Sequence, residues 1–194
     1  MNWGAIKAAV AAYSHRTDLT AMIPTFLDLA EQRIYNGESN APKVRVAAMR
    51  QFATLADGTR PAEFLEAIKV TPEDSPETPL YYRPLEQMPR ERWAYTWDGT
   101  TMVLSEDQGF PIDLTYHAKF ATPVDDADEN WLMANAPNIY ISSLLVEVGR
   151  WSRDDALGVR EAANYASSVG ALHSQEKAAA MSGSPLRMKL RGLG

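Results

Sequence analysis

The sequence predicts an α+β fold. Helices from both ends of the chain form one bundle, an antiparallel β module is inserted between them, and an extended C-terminal tail follows. Three observations predict this. Nine of the twelve prolines lie between Pro42 and Pro123, and proline punctuates strands and loops rather than helices. The two flanks are rich in alanine and nearly free of proline, as helices are. The middle carries short aromatic and β-branched runs separated by turn residues, as strands are. The expected divisions are 1–40 for the opening helices, 41–124 for the β module, 125–182 for the closing helices and 183–194 for the tail.

In the first flank, Trp3, Ile6, Val10 and Tyr13 recur at three- and four-residue spacing, which predicts an amphipathic helix. "HRTDLT" ends it, and Thr17 or Thr20 is expected to cap a second helix. Pro24 falls in that helix's first turn, where a missing N–H costs little. Ile23, Phe26, Leu27, Ala30 and Ile34 form its buried face, and Gly37 is its expected left-handed stop.

In the middle, "MRQFATLA" leads into a turn at Asp57-Gly58, and "EFLEAIKVT" supplies the next strand. "LYYRPLEQ", "TMVLSE" and "IDLTYHAKFAT" are further strands, with "PRERWAY" as one helical turn. In the last flank, Asn135 or Ala136 is an N-cap before Pro137. "NIYISSLLVEVGRW" is apolar over most of its circumference, which places it at the centre of the bundle. Ser152, Asp154 and Asp155 start a final long helix whose Ala163, Ala166 and Gly170 permit close approach, within one subunit or between copies. Gly183 and Pro185 stop it.

The bulk properties narrow the function. The chain has 194 residues, a net charge of -6, 45% hydrophobic residues and no cysteine. That is the balance of a globular protein, without disulfides, thiol nucleophiles or cysteine metal sites. No apolar run reaches the ~18 residues of a membrane span. The opening "AIKAAVAAY" lacks a basic start and is interrupted by Lys7, so it reads as a structural segment and not a signal peptide. An acidic chain is unsuited to wrapping nucleic acid over its main surface.

Chemical motifs fail on inspection. Asp126, Asp128 and Asn130 open like a calcium loop, but the sixth and twelfth positions hold Trp131 and Pro137 in place of glycine and glutamate. They read as acids at a helix start. His15, His117 and His173 lie in three separate elements without ligand spacing. Ser142, Ser143, Ser167 and Ser168 sit inside predicted helices with no nucleophile turn around them. Trp93, Tyr95 and Trp97 beside Arg90 and Arg92 could stack bases, but nothing extends the basic patch, so they read as core aromatics. No catalytic, cofactor or metal residue is assigned, and the protein is not expected to be an enzyme.

One stretch stands apart. In "SGSPLRMKLRGLG", Leu186, Met188 and Leu190 alternate with Arg187, Lys189 and Arg191. Period two describes a strand, not a helix. No acid follows Glu176, so residues from 177 onward carry +4 and the remainder -10. A lone strand cannot bury its apolar side chains, so this segment is expected to become extended on a partner, as in strand addition.

The order of several segments is similar to that of the head-to-tail adaptor (connector) proteins of tailed bacteriophages. "IPTFLDLAEQRI" resembles their second helix. "RPAEFLEAIKV", "PLEQM" followed by "RWAY", and "NWLMANAPNIYISSLLVEVGRW" resemble their successive blocks. "SGSPLRMKLR" resembles their typical ending. The resemblance spans about Thr17 to Arg191. It implies a structural virion protein made in the host cytoplasm and placed in the neck, between capsid vertex and tail. It implies a ring, typically of twelve copies, beneath the portal protein, extending the DNA channel and offering the tail or nozzle protein an attachment surface. Genomic DNA would pass without sequence-specific binding, and no membrane or cofactor is involved. The C-terminal segment would reach the portal through Leu186, Arg187, Met188, Lys189, Leu190 and Arg191. The alternatives are another neck or tail-completion protein, or a small soluble enzyme.

Overall fold

The computed structural model describes residues 1–90, 93–105 and 109–182. The chain divides into two compact units. One comprises Met1–Ile6 and Arg45–Asn135; the other comprises Lys7–Val44 and the chain from Ala136 onward. The fold is α+β, as the distribution of proline and alanine predicts.

The first unit is built on six strands. β1 (Arg50–Leu55), β6 (Ile112–Ala118) and β2 (Phe64–Pro72) form an antiparallel sheet in the order β1-β6-β2. β3 (Tyr81–Tyr82), β4 (Ala94–Asp98) and β5 (Thr101–Leu104) form a second sheet. In β6 the sequence "IDLTYHA" alternates, and so does its burial: Ile112, Leu114, Tyr116 and Ala118 are buried. Residues of one face alternate with those of the other along a strand, so these four meet Leu55, Val70, Tyr95 and Met102 in one core drawn from both sheets.

Three details of this unit depart from the sequence reading. The turn at Asp57-Gly58 does not close a hairpin, because β6 lies between β1 and β2. A strand far along the chain supplies the long apolar alternation that β1 and β2 both need, and its packing overrides the local turn signal. "LYYRPLEQ" is a strand only at Tyr81–Tyr82, paired parallel to β4, before a 3-10 helix at Leu85–Arg90. Pro84 has no N–H to continue a ladder. The expected helical turn therefore falls earlier, and the residues from Ala94 are strand.

The second unit is helical. α1 (Trp3–Ser14) begins in the first unit and continues into the second. α2 spans Ile23–Asn36, α4 spans Pro137–Ser152 and α5 spans Asp155–Met181, while the short α3 (Trp131–Asn135) belongs to the first unit. In α1, Trp3, Ile6 and Val10 are buried as the stripe predicts, but Tyr13 is 61% exposed. The helix ends one residue later, at Ser14, and His15 turns out of it with φ 54.

Neither Thr17 nor Thr20 caps α2. Met22 occupies the N-cap without a side-chain bond, after a turn in which Met22 N and Ile23 N donate to Leu19 O. Ile23, Phe26, Leu27, Ala30 and Ile34 are all buried. Gly37 stops the helix with φ 77 and ψ 175, a conformation open to glycine but outside the left-handed helical well. A Cβ there would meet Lys43 N at 2.7 Å.

Every residue of α4 from Ile139 to Gly149 is buried, which puts this helix at the centre of its bundle. Ala136 is its N-cap and Pro137 opens it. Asp154 caps α5 by accepting from Leu157 N at 3.0 Å. Close helix approach falls at a pair the sequence reading did not single out. A Cβ on Gly149 of α4 would meet Gly158 N at 2.7 Å and Gly158 Cα at 2.9 Å. Ala163 and Gly170 are exposed on α5.

Candidate partner-binding site

The six residues expected to reach a partner, Leu186, Arg187, Met188, Lys189, Leu190 and Arg191, lie outside the described residues. What the structure describes is α5, the helix that precedes them in the chain. α5 has 27 residues, a length of ~40 Å at the usual helical rise. Its buried stripe runs through Leu157, Glu161, Tyr165, Val169 and Leu172. Beyond Leu172 no described residue is buried. The helix therefore packs along its first two thirds and continues past its packing stripe. It ends at Ser182, whose N–H donates to Ala178 O and Ala179 O.

A buried polar network fixes α5 against α2 and α4. Arg33 of α2 is 4% exposed and Glu147 of α4 is 3% exposed, and they are ion-paired. Arg33 Nη1 donates to Ser143 O at 2.9 Å and Ser143 Oγ at 3.0 Å, and its Nε donates to Glu38 Oε1 at 2.7 Å. Burial alone would lower the Arg33 pKa, but the two carboxylates outweigh it and raise it. The guanidinium therefore stays charged, and its donors are met by carboxylates, a carbonyl and a hydroxyl. Tyr165 of α5 donates its hydroxyl to Arg33 O at 3.2 Å, and burial pushes its pKa well above the ordinary tyrosine value. The hydroxyl is thus held protonated as a donor. Tyr140 donates to Glu31 Oε1 at 3.3 Å in the same bundle.

This network was missed in the sequence, yet a signal was there. Glu147 is the one acid within the apolar run of α4, and a charge at the centre of an apolar helix needs a partner. Its identity was not readable, because Arg33 is 114 residues away.

The other candidates resolve into structural roles. Asp128 accepts from Val124 N at 2.7 Å and Asp125 N at 2.8 Å, and these two N–H groups hold its carboxyl below the usual range. Asn130 accepts from Met133 N and so caps α3. The carbonyls of Asp126 and Asp128 accept from Gly4 N at 2.9 Å and Trp3 N at 2.8 Å, satisfying the first turn of α1. The "DDADEN" loop thus works through its backbone and its caps. Among the described residues no group of three or more His, Asp or Glu side chains is placed to hold a metal ion.

Ser142 and Ser143 are spent on Glu161 and Ala30 O, while Ser167 and Ser168 line a shallow groove with Tyr13, Arg160 and Asn164. Glu161 in that groove already accepts from Ser142, Arg160 and Asn164. Tyr95 is buried and Trp97 packs on Phe64 at 5.1 Å between ring centroids, so both belong to the core. Trp93 stays 39% exposed. Arg60, which the sequence reading did not name, lies over the Phe64 and Trp97 rings. No helix of the described residues is long and apolar enough to cross a membrane.

What the fold and its polar network define is a scaffold. The buried polar side chains described above hold the helices together, and the sequence that follows the long final helix is basic and alternating. A family model described as SU10 adaptor protein matches residues 1–189. The chain belongs to that family, one of phage head-to-tail adaptors. Membership makes it a structural phage component with a place in the neck. A search of curated proteins found no match.

Proposed function

We propose that this chain forms a ring, of twelve copies, beneath the portal, extends the DNA channel, and gives the tail its attachment surface. Its partners are the portal protein on one side and a tail or nozzle protein on the other. The observation that carries this reading is the family match over residues 1–189. The acidic balance of -6 suits a channel through which DNA moves, since basic walls would add affinity through counterion release.

In this reading Leu186, Met188 and Leu190 enter a groove on the portal while Arg187, Lys189 and Arg191 face acidic groups. Ordering an extended segment costs ~1–2 kcal/mol per residue in backbone entropy. Three buried apolar side chains return ~1.5–3 kcal/mol each, and strand hydrogen bonds and ion pairs supply the remainder. Deleting residues 184–194 tests the anchor. The truncated protein is expected to unfold at the same denaturant midpoint as the intact one but to lose stable attachment to the portal. Equal docking of both would remove the segment from the interface.

A further inference from the structure

The β1-β6-β2 sheet has two edges, and they are treated differently. Natural sheets blunt an edge with bulges, charge, proline or a covering segment. β2 has all of these. Its register against β6 shifts twice, between Phe64 and Glu66 and between Ala67 and Lys69. It carries Lys69 and ends at Pro72, and Leu80 N donates to its Val70 O. Among the described residues β1 shows none of them between Gln51 and Leu55, and its one charged residue is Arg50 at its start. Its six residues pair with β6 in unbroken register from Arg50↔His117 to Leu55↔Ile112. It holds no proline and no lysine, and Phe52 at its centre is 76% exposed. In an antiparallel edge strand, alternate residues point their N–H and C=O groups away from the neighbour. β1 is a regular acceptor edge with an apolar side chain standing on it.

The surroundings of β1 say what would fit. Beside Phe52 lies a groove of about 340 Å3 lined by Thr54, Lys69, Thr71, Pro76 and Asp113. Lys69 Nζ is engaged by Pro76 O at 3.0 Å. Glu73, Asp74 and Glu77, all exposed, flank Pro76 in the segment that follows β2, the opposite edge strand of the sheet. The unit that contains β1 holds sixteen acidic and eight basic residues. An incoming strand should therefore be basic, with apolar side chains at every second position, and about six residues long.

One segment of this chain has those properties: Leu186–Arg191, with three apolar and three basic residues in alternation. We infer that the β1 edge of one copy accepts Leu186–Arg191 of a second copy as an added antiparallel or parallel strand. This rests on the reading of that segment as a strand donor, and it gives the segment a seat in the absence of portal. Each copy then donates one strand and accepts another through different surfaces. That is a heterologous contact, the kind that propagates round a ring. A segment seated on a neighbour is not at the same time on the portal, so the two seats are alternatives.

The chain has no cysteine, which makes disulfide trapping clean. Purified full-length protein carrying Gln51→Cys would be mixed, without portal, with protein carrying Met188→Cys or Lys189→Cys, and oxidised. A second mixture would replace Gln51→Cys by Val159→Cys, an exposed position on α5. The inference expects a disulfide-linked pair of the two different chains, at least tenfold above the Val159→Cys mixture, and its loss when excess peptide of residues 184–194 is added. Cross-linking no stronger than in the Val159→Cys mixture would overturn it. A third sample, of chains carrying both Gln51→Cys and Met188→Cys, would overturn it too if oxidation closed only intrachain disulfides, which would seat the segment on its own sheet. Because no portal is present, failure here is distinct from failure of the portal anchor, which the truncation reads.

Discussion

Arg33 and Glu147 show how a single pair organises the bundle. Both are nearly inaccessible, so each depends on the other to offset desolvation. Removing one partner of such a pair costs ~3–5 kcal/mol, because a buried charge is left uncompensated, whereas replacing both with apolar residues of similar volume is often neutral or stabilising. Glu147→Ala is expected to lower the unfolding free energy by an amount in that range. The double variant Arg33→Met with Glu147→Leu should recover most of it, read by urea unfolding of purified protein. A mild Glu147→Ala would mean that the pair contributes little to the bundle.

Asp128 supplies a second, pH-dependent test at this scale. Its pKa is lowered in the folded protein by the N–H groups of Val124 and Asp125. A lowered carboxyl pKa stabilises the fold above the unfolded value and loses that contribution as pH falls through the folded value. Asp128→Asn retains an acceptor oxygen, so it should leave stability near neutral pH little changed while flattening the acid side of the pH profile. Asp126, whose backbone carbonyl accepts from Gly4 N, is the companion test as Asp126→Asn. Virion assembly should survive both, and its abolition by either change or by a chelator would point to a metal role for the loop.

Among the elements, α4 and α5 carry the sharpest contrast. Gly149 has no room for a side chain against the Gly158 backbone, while Gly170 has nothing within 4 Å. Overpacking a close contact costs ~1–3 kcal/mol, so Gly149→Ala should destabilise by about that much. Gly170→Ala should stabilise by up to ~1 kcal/mol through helix propensity. Thermal unfolding of the two variants should move in opposite directions.

The same contrast explains what was legible beforehand. α4 was readable as a central helix because its run is apolar all round, and β6 because its alternation is strict. The partner of Gly149 was not readable, since small residues in α5 are common and only the helix crossing selects Gly158. The order β1-β6-β2 was hidden for a similar reason. Local turn chemistry at Asp57-Gly58 is visible in a sequence, but a strand contributed from more than fifty residues away is not. The capping threonines failed because the chain reaches α2 through a turn at Leu19 that satisfies the same N–H groups with a carbonyl. For residues 186–191, proposed to bind a partner, the sequence offers alternation and charge, and the structure describes only the helix that precedes them in the chain.

For the whole molecule, charge and architecture belong to the same account. The first unit concentrates the acids, and the chain beyond α5 concentrates basic residues on an alternating apolar pattern. The adaptor family to which the chain belongs has a structural head-to-tail role. The most direct test of the central claim is an image reconstruction of the neck of the assembled virion. The account predicts a closed ring of this chain directly beneath the portal, with residues 186–191 extended against the portal surface. Finding the chain at the tail tip or inside the capsid, or finding a neck ring whose residues 186–191 make no portal contact, would contradict it.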